Sequence, residues 1–250
     1  MSETQSVVDR ALPEEADQQR FWNEWNAKHR GAQHTIVDAP TLKRRETALQ
    51  WVRQLGLHRP RILDLGCATG WLSAELSQFG DVVGIDIADA SIAEARRRYP
   101  DLQFECDDIA NSTRNNGQFD VVVSLETLSH VPDQARFVKA IGALLKPGGF
   151  LVLTTQNRLV FERHAGVAPK AEGQIRQWLS PAELRRLLSE DFVVKRLTTY
   201  LPEGHLGILR LVNSERINGL VGRVFPQPAV QRAKERLGLG QTIAVLAQRR

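Results

Sequence analysis

The sequence predicts an α/β fold: a seven-stranded, mostly parallel sheet with helices on both faces, a helical extension in front and a helical insertion before the last strand. Three observations predict it. From Arg61 onward, continuous Val/Ile/Leu runs alternate with helical patterns, the signature of a parallel sheet covered on both sides. "RILDLGCATGWLSAEL" breaks from a strand into closely spaced small residues and then turns amphipathic, as a strand–turn–helix unit does. Finally, 250 residues with 42% hydrophobic and 25% charged side chains suffice for one full core.

The elements follow in order. "EEADQQRFWNEWNAKHR" (Glu14–Arg30) spaces Phe21, Trp22 and Trp25 helically. "APTLKRRETALQWVRQLG" reads as a second helix, with Leu42, Leu49, Val52 and Leu55 on one face and Gly56 as its stop. Then come strand "RILDLG", helix "WLSAELSQFG" ended by Gly80, strand "DVVGIDI", helix "ASIAEARRRYP", and strands "LQFECDD" and "FDVVVSLE". "DQARFVKAIGALLKPGG" is a helix stopped by Pro-Gly-Gly, and "FLVLTTQN" is the fifth strand. In "WLSPAELRRLLSE", Ser180 is the N-cap, Pro181 the first helical residue and Glu183 the capping-box partner. "DFVVKRLTTY" is a sixth strand, residues 201–239 hold two helical segments around "PQP", and "QTIAVLAQRR" closes the sheet. This divides the chain into an extension (1–56), a core (57–200) and a cap with the final strand (201–250) that belongs to the same domain.

Charge and composition exclude several classes. "MSETQSVVDRALPEE" has no basic stretch leading into an apolar one, and no apolar run is long enough to span a bilayer, so a cytoplasmic chain without membrane insertion is expected. Cys67 and Cys106 have no metal-ligand spacing and read as free thiols. A net charge of +4 permits an anionic partner but makes no case for nucleic acid.

Ligands of open α/β sheets bind beyond the carboxyl ends of the strands, which directs attention to Gly66–Gly70. Asp86, at the end of the second strand, is 20 residues past Gly66, the spacing of an acid that binds a ribose diol. The turn is Rossmann-like without being a dinucleotide fingerprint. In Gly66-Cys-Ala68-Thr-Gly70-Trp71 the third small residue comes one position early, and tryptophan occupies the position that would need glycine. No Gly-Lys-Ser/Thr follows, which excludes a P-loop. A nucleoside without a pyrophosphate remains.

"ILDLGCATG", "VVGIDIA", "FDVVVSLETLSHVPD", "LLKPGGFLVLTT" and "WLSPAELRRLLSEDF", in this order, resemble class I S-adenosylmethionine-dependent methyltransferases, in particular the ubiquinone-biosynthesis O-methyltransferase-like group of small-molecule enzymes. The resemblance runs from about Leu42 to Phe192. It implies S-adenosyl-L-methionine as cofactor and O-methylation of a small molecule by a monomer or homodimer. It also implies positions. Gly66, Ala68 and Gly70 would pack on the methionine part, Ala68 standing where glycine is commoner and tolerable there if its φ is negative. Asp64 would lie near the cofactor's amino group, or alternatively support the following helix N-terminus. Asp86 would hold the ribose and Ile87 cover the adenine. Asp108 rather than Asp107 would meet the adenine amino group, with the Ile109 N–H on the ring. Leu125 and Glu126 would line the methionine end.

His130 would stand near the acceptor as a base, or be a structural histidine bonded to backbone. Relatives carry a metal-binding glutamate just before it; Ser129 here leaves too few ligands, so no metal is expected. Arg45, in preference to Arg44, would reach the cofactor carboxylate. Trp22, Trp25, His29 and Arg30 would form a lid or pack as core. Leu206–Leu220, with Arg210 and Arg216, would form an apolar wall with cationic edges, or core. The rival readings are a small-amine N-methyltransferase, an RNA methyltransferase, a nicotinamide enzyme and a non-catalytic scaffold. "SLETLSH" lacks the Asn/Asp-Pro-Pro-aromatic motif of base-amino methylation, and no Tyr-x-x-x-Lys pair is present.

Overall fold

The computed structural model describes residues 15–29, 38–110, 117–164, 166–202, 214 and 226–250. Helix α1 (Glu15–His29) precedes α2 (Ala39–Gln54), and then strands and helices alternate. These are β1 (Arg61–Leu65), α3 (Trp71–Leu76), β2 (Asp81–Asp86), α4 (Asp89–Arg98), β3 (Gln103–Cys106), β4 (Phe119–Leu125), α5 (Gln134–Leu144) and β5 (Leu145–Gln156). A 3-10 turn covers Leu128–His130 between β4 and α5. The short α6 (Arg158–Phe161), α7 (Pro181–Leu188), β6 (Phe192–Tyr200), α8 (Gln227–Arg236) and β7 (Thr242–Arg249) complete it.

The seven strands lie in the order β3-β2-β1-β4-β5-β7-β6, as the alternation predicts. Strands β1 to β5 pair in parallel, and β7 inserts antiparallel between β5 and β6. Each face has its own apolar layer. Leu63, Ile85, Val122 and Leu151 face Phe137, Ile141 and Leu184 of α5 and α7, while Ile62, Val82, Val121 and Val152 face Ala48, Trp51, Leu72 and Leu76 of α2 and α3. Burying a side chain of this size contributes about 1.5–3 kcal/mol. Successive strand residues point to opposite faces, so strands buried on both sides are apolar throughout.

Local signals fare unevenly. The Ser180 capping box forms in full, Glu183 Oε2 accepting from Ser180 N at 2.8 Å while Ser180 Oγ accepts from Glu183 N. Gly56 ends α2 with φ of 65°, as expected of a helix stop. Of the expected inner face of α2, Val52 is buried and Leu49 and Leu55 pack against the same cluster, joined by Ala48 and Trp51, whereas Leu42 is 39% exposed. Helix α3 stops at Leu76 rather than at Gly80. Gly80 instead allows a close approach, since a Cβ there would lie 2.0 Å from Pro60 O. Lys146–Gly149 belong to β5 rather than to a helix end, with Gly148 at φ of 76°. Residues 206–213 and 215–220, the expected apolar wall, lie outside the described residues.

The strand order reverses between β1 and β4, whose carboxyl ends diverge and leave a crevice. Among the described residues no helix is long and apolar enough to cross a membrane.

Candidate active site

A cavity of about 560 Å³ opens at this crevice, the size of a small-molecule site. One end is built by the turn after β1 and the end of β2. Gly66 has φ of 81°, and an added Cβ would come within 2.0 Å of Thr127 Oγ1, so only glycine fits between β1 and β4. Ala68 has φ of 47°, so the condition for an easily tolerated methyl, a negative φ, is not met. Left-handed backbone costs an L-residue about 1–2 kcal/mol, which explains why glycine is commoner at this position in the resembling family. Ala68 N donates to Asp86 Oδ2 at 2.8 Å and Ala88 N to Asp86 Oδ1 at 2.9 Å. These bonds fix the carboxylate at the cavity wall and tie the turn to β2. Ile87, Asp107, Asp108 and Ile109 continue that wall. Asp108 Oδ1 accepts from Ala110 N at 3.0 Å.

Two residues expected in the site stand behind it. Gly70 does not line the cavity; a Cβ there would lie 2.6 Å from Phe104 Cζ, so it serves close helix–strand packing. Asp64 is 2% exposed and accepts from Ser73 Oγ at 2.6 Å, beneath the first turn of α3. Burial, reinforced by the Asp86 charge, pushes its carboxyl up to about 7.

At the ends of β4 and β5, Glu126 adopts left-handed backbone with φ of 62°. Its Oε1 accepts from Thr154 Oγ1 at 3.0 Å and lies 3.4 Å from Arg44 Nε, and its buried Oε2 has no partner among the described residues. Strained backbone and a buried oxygen without a partner thus coincide at one residue of the cavity wall. Arg44 lines the cavity beside it. Arg45, the expected choice, turns to the outside of α3 and bonds both oxygens of Glu75 at 2.7 Å. Consecutive helical residues diverge by about 100°, so only one of the two can face the crevice.

His130 occupies the other end. Its Nδ1 is 2.9 Å from Ile175 O, a carbonyl that can only accept, so Nδ1 carries the proton and Nε2 keeps its lone pair. Burial is the main cause that holds the imidazole below its usual pKa, against the opposing pull of the Ile175 bond and the Glu126 charge. Ser129 is fully buried and does not line the cavity. Phe161, Arg176 and Trp178 complete this end.

Helix α1 closes the cavity with Gln18, Trp22, Trp25 and Asn26. It is fastened to both sides: Asn26 Nδ2 to Ser91 Oγ at 2.9 Å and Gln19 Nε2 to Ile87 O at 3.1 Å, and Gln18 Nε2 to Gly173 O at 2.9 Å. The Trp22 ring meets His130 edge to face at 4.9 Å. Arg30 and the His29 side chain lie outside the described residues. Arg44 had been the less favoured of the two arginines, whereas Gln18, Asn26, Gln156, Arg176 and Trp178 had not been expected in the site. Only the polar face of α1 hinted at Gln18 and Asn26, and nothing local marked Gln156, Arg176 and Trp178.

A family described as "Methyltransferase domain" matches residues 28–192. The chain belongs to that family. This methyltransferase domain is 32% identical over 146 residues to a ubiquinone biosynthesis O-methyltransferase of Coxiella burnetii, matching 53% of this chain and 62% of the relative. The chain thus spans less than two thirds of that relative's length. Among solved structures, an S-adenosylmethionine-dependent methyltransferase from Mesorhizobium loti superposes with a TM-score of 0.58 at 20% identity, over 82% of this chain and 100% of that one. N-methyltransferase NodS from Bradyrhizobium japonicum, in complex with S-adenosyl-L-homocysteine, gives 0.63 at 14% identity, over 93% and 98%. The fold of this methyltransferase domain is the one that S-adenosylmethionine-dependent methyltransferases share.

Proposed function

We propose that this protein transfers a methyl group from S-adenosylmethionine to a hydroxyl of a small molecule. The observation that carries the reading is one continuous cavity lined both by Asp86, anchored by backbone N–H groups, and by His130, whose Nδ1 is held by Ile175 O. The cavity fits the cofactor on its own geometry. Asp86, held by two backbone N–H groups, would accept from the ribose diol through charge-assisted bonds of about 1.5–3 kcal/mol each. Arg44 and the unpartnered Glu126 Oε2 are a cation and an acceptor side by side, the complement of a carboxylate and an ammonium. Asp108 and the Ile109 N–H would meet the adenine, with Ile87 on its face and Leu125 near the methionine chain.

The bound cofactor would supply the electrophilic methyl. The chain's own contribution is alignment and proton removal. Oriented reactants lower a barrier by several kcal/mol, on the order of 7–11 at best. His130 Nε2 would take the acceptor's hydroxyl proton, an effect of about 10²–10⁴ in rate. Trp22 and Trp25 would exclude water above the reacting groups.

The test is transfer of a deuterated methyl from labelled cofactor to hydroxylated small molecules, read by mass spectrometry. Label on oxygen, lost in His130→Ala while S-adenosylhomocysteine still binds, supports the reading. Label on nitrogen, retained in His130→Ala, would replace it with N-methylation.

A further inference from the structure

Among the described residues, the two cations of the cavity wall, Arg44 and Arg176, differ in their company. Arg44 is paired with Glu126. Arg176 has only neutral partners: its guanidinium donates to Ala168 O at 2.8 Å and to Gln174 Oε1 at 2.7 Å, and lies 5.6 Å from the Trp178 ring centroid. Among the described residues no carboxylate comes within ion-pair distance of it. A cation held by neutral acceptors keeps its whole charge for a ligand, and its position is set in advance.

Its place in the cavity assigns that ligand. Arg176 directly follows Ile175, whose carbonyl holds His130, and Gln177 N donates to Ser129 O at 2.8 Å, so the segment is bound to the His130 turn. Of the acids on the described wall, Asp86 ends β2, Asp107 and Asp108 follow β3, Asp38 caps α2, and Glu126, which follows β4 as His130 does, is engaged by Arg44. Around Arg176 the surroundings are flat and apolar: Phe161 and Trp178 meet at 5.1 Å between ring centroids, and the Trp178 indole is fixed by donating to Gln156 Oε1 at 2.7 Å.

We infer that the methyl acceptor carries an anionic group, a carboxylate or a phosphate, that Arg176 binds while Trp178 and Phe161 hold a flat apolar body. This rests on the methyltransferase reading above and goes beyond it by naming the acceptor's chemistry. Arg176 acts as a specificity-determining residue, and the two possible anions share the same fork of N–H donors.

The test measures calorimetric binding of benzoate, phenyl phosphate and the neutral benzamide to protein saturated with S-adenosylhomocysteine, for wild type, Arg176→Gln and Arg176→Lys. At least one anion should bind wild type about tenfold or more tightly than benzamide. Arg176→Gln should erase the preference, and Arg176→Lys should restore part of it at unchanged melting temperature. Which anion binds better tells carboxylate from phosphate. Equal affinity for benzoate, phenyl phosphate and benzamide, or no binding of either anion at millimolar concentration, overturns the inference. Failure of S-adenosylhomocysteine itself to bind the folded protein overturns the reading beneath it instead.

Discussion

The backbone N–H of Ala68 donates to the Asp86 carboxylate at 2.8 Å, and it does so from left-handed backbone, φ 47°. Strain in the turn after β1 is therefore coupled to the orientation of the group that would hold the ribose. Glycine at position 68 would adopt this backbone freely. Ala68→Gly should stabilise the protein by about 0.5–1 kcal/mol, the relieved strain being partly offset by the freer unfolded chain. Thermal unfolding with and without S-adenosylhomocysteine checks this, and a lowered melting temperature would contradict it. Gly66→Ala, whose Cβ would meet Thr127 Oγ1 at 2.0 Å, should instead cost at least about 2 kcal/mol.

Arg44 and Arg45 offer an internal control. Arg44→Ala strips Glu126 of its cation inside the cavity and should weaken S-adenosylhomocysteine binding about tenfold or more. Arg45→Ala removes only the partly exposed bond to Glu75, worth at most about 1 kcal/mol of stability, and should leave the binding constant alone. Equal losses in the two variants would mean that α2 is oriented differently.

His130 is held below its ordinary pKa, so it is neutral at pH 7 and gains a proton only when the pH falls below the usual histidine range of about 6.5. Methyl transfer should thus stay level through neutral pH and decline on the acid side. Stability follows the same sign: the unfolded state binds the proton first, so His130's contribution is present at neutral pH and fades as the medium becomes acidic. A pH–rate profile for wild type and His130→Gln, with only the former showing the acid limb, is the check.

Asp64 has the opposite sign. Its folded pKa of about 7 exceeds the ordinary 3.8, so the folded state holds the proton longer. Asp64's contribution is complete below about pH 4 and is lost as the pH rises to about 7, each whole pH step between them removing at most about 1.4 kcal/mol. Asp64→Asn should therefore gain stability relative to wild type between pH 4 and 8 in denaturant titrations. A difference independent of pH would show that Asp64 is ionised throughout.

Local chemistry was legible in the sequence. The Ser180 capping box, the alternation of strands and helices, the glycine turn and Asp86 each depend on a few neighbouring residues and appear where the spacing puts them. Features set by tertiary docking were not. One residue of helix rotation decides between Arg44 and Arg45, and Leu42 of the same helix is exposed. Gly80 reads as a helix stop until Pro60 is seen against it. Arg176 and Gln18 reach the cavity from segments far apart in the chain, on a loop and a helix whose positions no local pattern specifies. The sign of φ at Ala68 was likewise invisible, because alanine gives no hint of left-handed backbone.

The most direct measurement is calorimetric titration of S-adenosylhomocysteine into wild type and Asp86→Ala. Micromolar binding to wild type, weakened about a hundredfold or more in the variant, is the expected result. Equal binding to both proteins, or none to a folded wild type, would contradict the assignment of Asp86 and of the cavity it lines.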